Sequence, residues 1–71
     1  MKVSLEQTEK LLCGNHSFTQ IGLSMMMTRM RGAYAKDPSP EVLTKSMEEL
    51  NLFFDKFKSL VEKDYSVIAQ L

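Results

Sequence analysis

The stretch "PEVLTKSMEELNLFFDKFKSLVEKDYSVIAQL", residues 40–71, decides the fold. Leu43, Met47, Leu50, Phe54, Phe57, Val61 and Ile68 recur at alternating spacings of four and three, and Asp64 takes the one remaining position. Residues so spaced share one face of an α-helix, so the run reads as a heptad seam interrupted only by Asp64. Phe53, Leu60 and Val67 flank the seam and widen it to a face suited to a bundle. Ser39 is placed to cap the helix, and Pro40 sits at N1, where a missing N–H removes nothing. Glu41 adds an acid near the positive helix end. The pattern predicts one helix over about 40–69, roughly 45 Å long at the usual rise per residue. Glu41/Lys45 and Lys58/Glu62 fall at i,i+4 and are expected to pair on its outer side.

Working back toward the N-terminus, Asp37-Pro38 disfavours helix at Asp37 and closes the preceding element. Ser4 is followed three residues later by Gln7, and Ser17 by Gln20, which are two capping-box patterns. Gly14-Asn15 can end a helix in a left-handed turn. These signals predict helices over about 5–13 and 18–35. The expected fold is all-α: a single domain over 1–71, built as an antiparallel helical hairpin with a short additional N-terminal helix.

The composition bounds the function classes. A chain of 71 residues buries a low fraction of its surface and needs good helix packing, a staple, a metal or a partner. Cys13 is the single cysteine, so no disulfide forms within one chain, and a reducing compartment is the natural setting. MKVSLEQTEKLL lacks the apolar core of a signal peptide, no apolar run approaches the roughly 20 residues of a membrane span, and a cytoplasmic location is expected. Nine basic residues balance nine acidic ones. That balance gives no electrostatic footprint for nucleic acid or anionic membrane, and it weakens the repulsion that keeps copies apart. At 44% hydrophobic residues with only three glycines, the chain is too apolar for disorder and too poor in turn residues for a many-stranded sheet.

Helix 2 poses the main question, because SMMMTRM (24–30) holds four methionines in seven positions. Successive helix residues point about 100° apart, so Met25, Met26 and Met27 cannot share one core. Leu23, Met27, Met30 and Tyr34 form one stripe, Phe18, Ile21, Gly22 and Met25 another, and Met26 and Ala33 lie between. A helix apolar almost all round is covered on more than one side. The cover is helix 1 and helix 3 of the same chain, a second copy, or another protein, and methionine suits an interface because it adapts its shape. A thioether copper(I) site would need further soft ligands beside Met26 and Met30.

Other chemistry is thin. Cys13 and His16 make C-x-x-H, but a zinc site needs about four ligands, and neither another Cys nor another His exists. A haem motif needs a second cysteine, and a Cys–His catalytic pair needs a pocket and an oxyanion site. No cofactor or metal is expected. Glu48, Glu49 and Asp55 fall on the polar side of helix 3. Asp64, on the seam, is expected to break the pairing, to set its register, or to face a cation such as Arg29 or Arg31. Arg29, Arg31 and Lys36 complement the negative end of helix 2. Leu52 is apolar on the polar side of helix 3, with no reason for it inside the chain.

The segments S-L-E-Q (Ser4–Gln7), M-R-G (Met30–Gly32) and K-S-M-E-E-L (Lys45–Leu50) on a helical hairpin resemble the small hairpin co-chaperones of type III secretion needle subunits. The resemblance covers roughly residues 4 to 61. It implies a cytosolic protein without catalysis that joins a tetratricopeptide-like chaperone to hold a secreted subunit unpolymerised. Two features depart from that pattern: the stretch Tyr34–Ser39 lengthens the inter-helix loop, and the methionine cluster is foreign to it. The chain is also similar to the needle and inner-rod subunits of such machines, which place a D-P-type turn, here Asp37–Pro40, before a long C-terminal helix.

The function expected is non-enzymatic: a small chaperone or adaptor that shields an amphipathic helix of a partner. The alternative is a self-assembling subunit, either a four-helix-bundle dimer or a polymer. A nucleic-acid-binding hairpin using Arg29 and Arg31 is a third reading. The residues expected to bind a partner are Leu23, Met25, Met27, Met30 and Tyr34 on helix 2, and Leu52, Phe53, Leu60 and Val67 on helix 3.

Overall fold

A computed structural model describes residues 2–71. Among these the fold is all-α, with α1 at Leu5–Cys13, α2 at Ile21–Lys36, α3 at Pro40–Lys56, α4 at Lys58–Val61 and α5 at Tyr65–Ile68. Helix α1 begins as expected: the Ser4 hydroxyl accepts the Gln7 N–H at 3.1 Å, and the Gln7 side chain accepts the Ser4 N–H at 2.9 Å. Ser39 caps α3 by accepting the Val42 N–H, with Pro40 at the first helical position. Helix α2 ends at Lys36, before Asp37-Pro38.

Helices α2 and α3 run antiparallel. Gly22 lies by Phe53, Arg29 pairs with Glu49 at 3.1 Å, and Ala33 lines a depression with Val42, so α2 rises as α3 falls. Helix α1 packs on both. Leu11 and Leu12 of α1, Leu23, Met27 and Met30 of α2, and Leu50 and Phe54 of α3 make the core, closed by Val3, Val61 and Val67.

The long helix expected over 40–69 does not form. It stops at Lys56, and Phe57 adopts φ −119° and ψ 39°. The cause is the length of its neighbours. A straight helix to residue 69 would span roughly 45 Å, whereas the molecule's longest extent is 31 Å. Its last turns would project past α1 and α2 with Val61 and Val67 in water. Folding back buries both completely, and burying such a side chain is worth about 1.5–3 kcal/mol. The bend also changes the phase: Val67, not Ile68, enters the core, and Ile68 and Phe57 reach the surface.

Helix α2 starts at Ile21 rather than at residue 18, and the Ser17/Gln20 box does not form. The N–H groups of Thr19 and Gln20 donate instead to Asp64 Oδ2, at 2.8 and 3.4 Å. Gly14 is extended (φ −78°, ψ 162°), not left-handed. A Cβ there would lie 2.7 Å from the Lys10 carbonyl oxygen and closer still to the His16 ring, so the chain leaves α1 through a space only glycine fits. Among the described residues the ion pairs that close are Lys10–Glu6 and Arg29–Glu49; the expected Glu41–Lys45 and Lys58–Glu62 pairs do not.

Candidate functional site

The methionine stretch divides by helix phase. Met27 and Met30 are buried with Leu23 in the chain's own core, and Met26 packs partly against it. Met25 points away and is 70% exposed. Four of the residues expected to meet a partner, Leu23, Met27, Met30 and Val67, are therefore core in this fold. The reason is that α1 and the returning C-terminal segment cover the stripes that a bare hairpin would leave open.

The remaining expected residues separate onto different surfaces. Tyr34 is half-buried, and its hydroxyl donates to Glu9 Oε2 at 2.7 Å across to α1. That hydrogen bond, then desolvation, the negative charge of Glu9 and the nearby Cys13 side chain, raise the phenol above its ordinary pKa. Leu52, 71% exposed, borders a depression with Lys2, Met47, Glu48, Asn51 and Asp55. Phe53 lies on the neighbouring face, half-buried, with its ring 4.8 Å from that of Phe57.

Phe53 and Leu60 meet in a second place. With Ile21, Gly22 and Phe57 they line a shallow groove of about 450 Å³, where the start of α2 faces the end of α3 and α4; Thr19 and Gln20 close one end. Ile21 is 80% exposed at its lip, and Met25, one turn further along α2, continues the apolar stripe. Lys56 Nζ lies 5.6 Å from the Phe57 ring centroid and adds a cation at the edge. The groove exists because α3 bends at Phe57. Sequence reasoning placed Met25, Phe53 and Leu60 on the binding surface but missed Ile21 and Phe57. Ile21 was legible as part of the Phe18/Ile21/Met25 stripe. Phe57 was hidden by its seam position.

Arg31, Arg29 and Asp64 make their contacts within the chain. Arg31 donates through Nε and Nη2 to the Leu11 carbonyl, at 3.2 and 3.1 Å, and through Nη1 to the His16 carbonyl at 3.3 Å. Its guanidinium also lies 5.1 Å from the Phe18 ring centroid. A cation on the last carbonyls of α1 is favourable in charge and in hydrogen bonding. Arg31 therefore completes α1 rather than the end of its own helix, and Arg29 is held by Glu49. Asp64 is fully buried and faces no arginine: it accepts from Thr19, Gln20 and Ser66 backbone N–H groups and caps α5. Cys13 is exposed, and the His16 ring contacts Gln70 and Phe18. Among the described residues no cluster of His, Cys, Asp or Glu is placed to hold a metal ion, and no helix is long and apolar enough to cross a membrane. Comparison with protein-family models, with curated proteins and with solved structures finds no match to this chain.

Proposed function

We propose that the chain is a non-enzymatic binding module, a small cytoplasmic chaperone or adaptor whose groove takes one apolar face of a partner's amphipathic helix. The observation that carries this reading is the apolar continuity of Ile21, Met25, Phe53, Phe57 and Leu60 at the surface. A helix laid into such a groove is read through anchors at i, i+3, i+4 and i+7. Aromatic residues supply contact area, and an exposed methionine lets the surface fit more than one shape. The similarity to co-chaperones of type III secretion needle subunits points the same way, toward a helical export substrate or a tetratricopeptide-like chaperone as partner. A self-assembling subunit is the alternative occupant of the same surface, and zero net charge favours it.

The test uses isotope-labelled protein and a designed amphipathic peptide with leucines at i, i+3, i+4 and i+7. The expected result is saturable amide and methyl shift changes at Ile21, Gly22, Met25, Phe53, Phe57 and Leu60, with Leu52 unaffected. Changes spread evenly over all exposed apolar residues, or none at all, overturn the groove as the binding site.

A further inference from the structure

Residues 41–71 contain neither glycine nor proline, yet the helix breaks at Phe57. Sharp helix breaks ordinarily have a local cause in the sequence. Here the seam Leu50, Phe54, Phe57, Val61, Asp64 runs through the break in register. The bend is held from outside, by what the segment touches after it. Val61 and Val67 are fully buried in the core. Asp64 accepts from Thr19 and Gln20, the Ser66 hydroxyl donates to the Ser17 carbonyl, and Gln7 Nε2 donates to the Gln70 carbonyl at 2.7 Å. The surface formed by the α1–α2 loop and the core is thus a docking site whose fitting occupant is known: residues 58–71.

We propose that this segment exchanges between two copies of the chain, giving a domain-swapped dimer hinged at Phe57. With Phe57 helical, α3 and α4 join into one helix over 40–61, roughly 33 Å long, and residues 58–71, Val61 included, are carried away from their own core. The second copy offers the same surface, vacated by the same movement. The contacts of Val61, Asp64, Ser66, Val67 and Gln70 re-form between chains, so the exchange keeps their burial, while straightening the hinge alters the Phe53–Phe57 ring contact and removes the bend on which the groove depends. The occupant follows from the contacts already present, and zero net charge sets up no long-range repulsion between copies.

The experiment places cysteines at the adjoining positions Ser17 and Ser66 in a Cys13→Ser background and oxidises the chain over a concentration series. A denaturing gel without reductant separates the outcomes. A swapped dimer gives a covalent band at twice the chain mass, increasing with concentration. That band is expected to be several-fold stronger with Phe57→Ala, which favours the joined helix, than with Phe57→Gly, which does not. Met25→Glu, in the groove, leaves it unchanged, so loss of groove binding and loss of exchange are separable. Circular dichroism and sedimentation velocity on the same samples check folding and mass. Disulfides that stay within one chain at every concentration overturn the proposal, whether the protein sediments as a monomer or as an unswapped dimer. So does a covalent dimer indifferent to the hinge residue.

Discussion

The Asp64 carboxylate accepts the Thr19 N–H at 2.8 Å, joining positions 45 apart in the chain and tying the start of α2 to the start of α5. The same carboxylate takes the N–H of Gln20 and, on its other oxygen, that of Ser66. A buried anion is tolerated when hydrogen-bond donors surround it, and removing it leaves those donors unpaired.

Replacing Asp64 by alanine is therefore expected to cost about 2–4 kcal/mol of folding stability, as three N–H groups lose one acceptor. Asparagine retains one oxygen but turns an NH₂ toward donors, so Asp64→Asn falls between alanine and the native chain. Urea unfolding followed by circular dichroism measures both. A loss for Asp64→Ala inside the roughly 0.5 kcal/mol range of ordinary surface substitutions would show that this tie does not hold the C-terminal segment in place.

Arg31 gives a prediction with a local readout. Its guanidinium closes the Leu11 and His16 carbonyls. Arg31→Ala should cost about 1.5–3 kcal/mol, the range for hydrogen bonds to a charged group. Arg31→Lys should recover only part of this, because a point charge cannot reproduce the planar fork. Amide hydrogen exchange should speed up across α1 and the 14–20 loop before it does in α3. A uniform change over all helices would argue that Arg31 acts on global stability alone.

Tyr34 predicts a pH dependence. Its folded pKa is raised above the ordinary 10.0, chiefly by the hydrogen bond to Glu9. The folded state thus holds the phenolic proton more tightly than the unfolded chain. The associated stability is present below the unfolded pKa and is lost as pH rises through the folded one. Absorbance titration of tyrosinate should show the Tyr34 step fall back toward its ordinary value in Glu9→Gln, and the alkaline loss of stability should shrink in Tyr34→Phe. Glu9→Ala removes the acceptor as well as the charge, and an unmoved titration in that variant would mean that the contact is absent in solution.

What could be read from the sequence divides by distance along the chain. Ser4 with Gln7, Ser39 with Pro40, and Asp37 with Pro38 act within a turn, so the bounds of α1 and the inter-helix loop followed from adjacent residues. The break at Phe57 is set by how far α1 and α2 extend, which no local signal at Phe57 carries. The Ser17 box fails where one of its donors, the Gln20 N–H, is taken by an aspartate 44 positions away, which holds the Thr19 N–H as well. Asn51 makes a contact comparably distant along the chain. It pairs with Val3 in both directions, accepting the Val3 N–H at 2.8 Å and donating to the Val3 carbonyl at 3.2 Å, and nothing near either residue indicates that contact. In the candidate site, the apolar stripes of α2 were visible, but their choice between core and surface depended on where α1 came to lie.

That choice can be tested within the methionine stretch. Met27 is fully buried and Met25 is 70% exposed, two positions apart on one helix. Met27→Ala removes buried thioether and methylene groups and leaves a cavity, at an expected cost of about 2–5 kcal/mol. Met25→Ala should fall within about 0.5 kcal/mol of the native chain, since it gives up little contact and gains helix propensity. Charge separates the two more sharply: Met27→Glu should prevent folding, whereas Met25→Glu should leave helicity and melting nearly unchanged. Thermal unfolding of the four variants, each compared at the same protein concentration, decides the matter. Equal losses at both positions would mean that α2 is covered on both sides in solution. Met25 would then belong to an interface formed even by the isolated protein, and self-association would displace a different partner as the occupant of the groove.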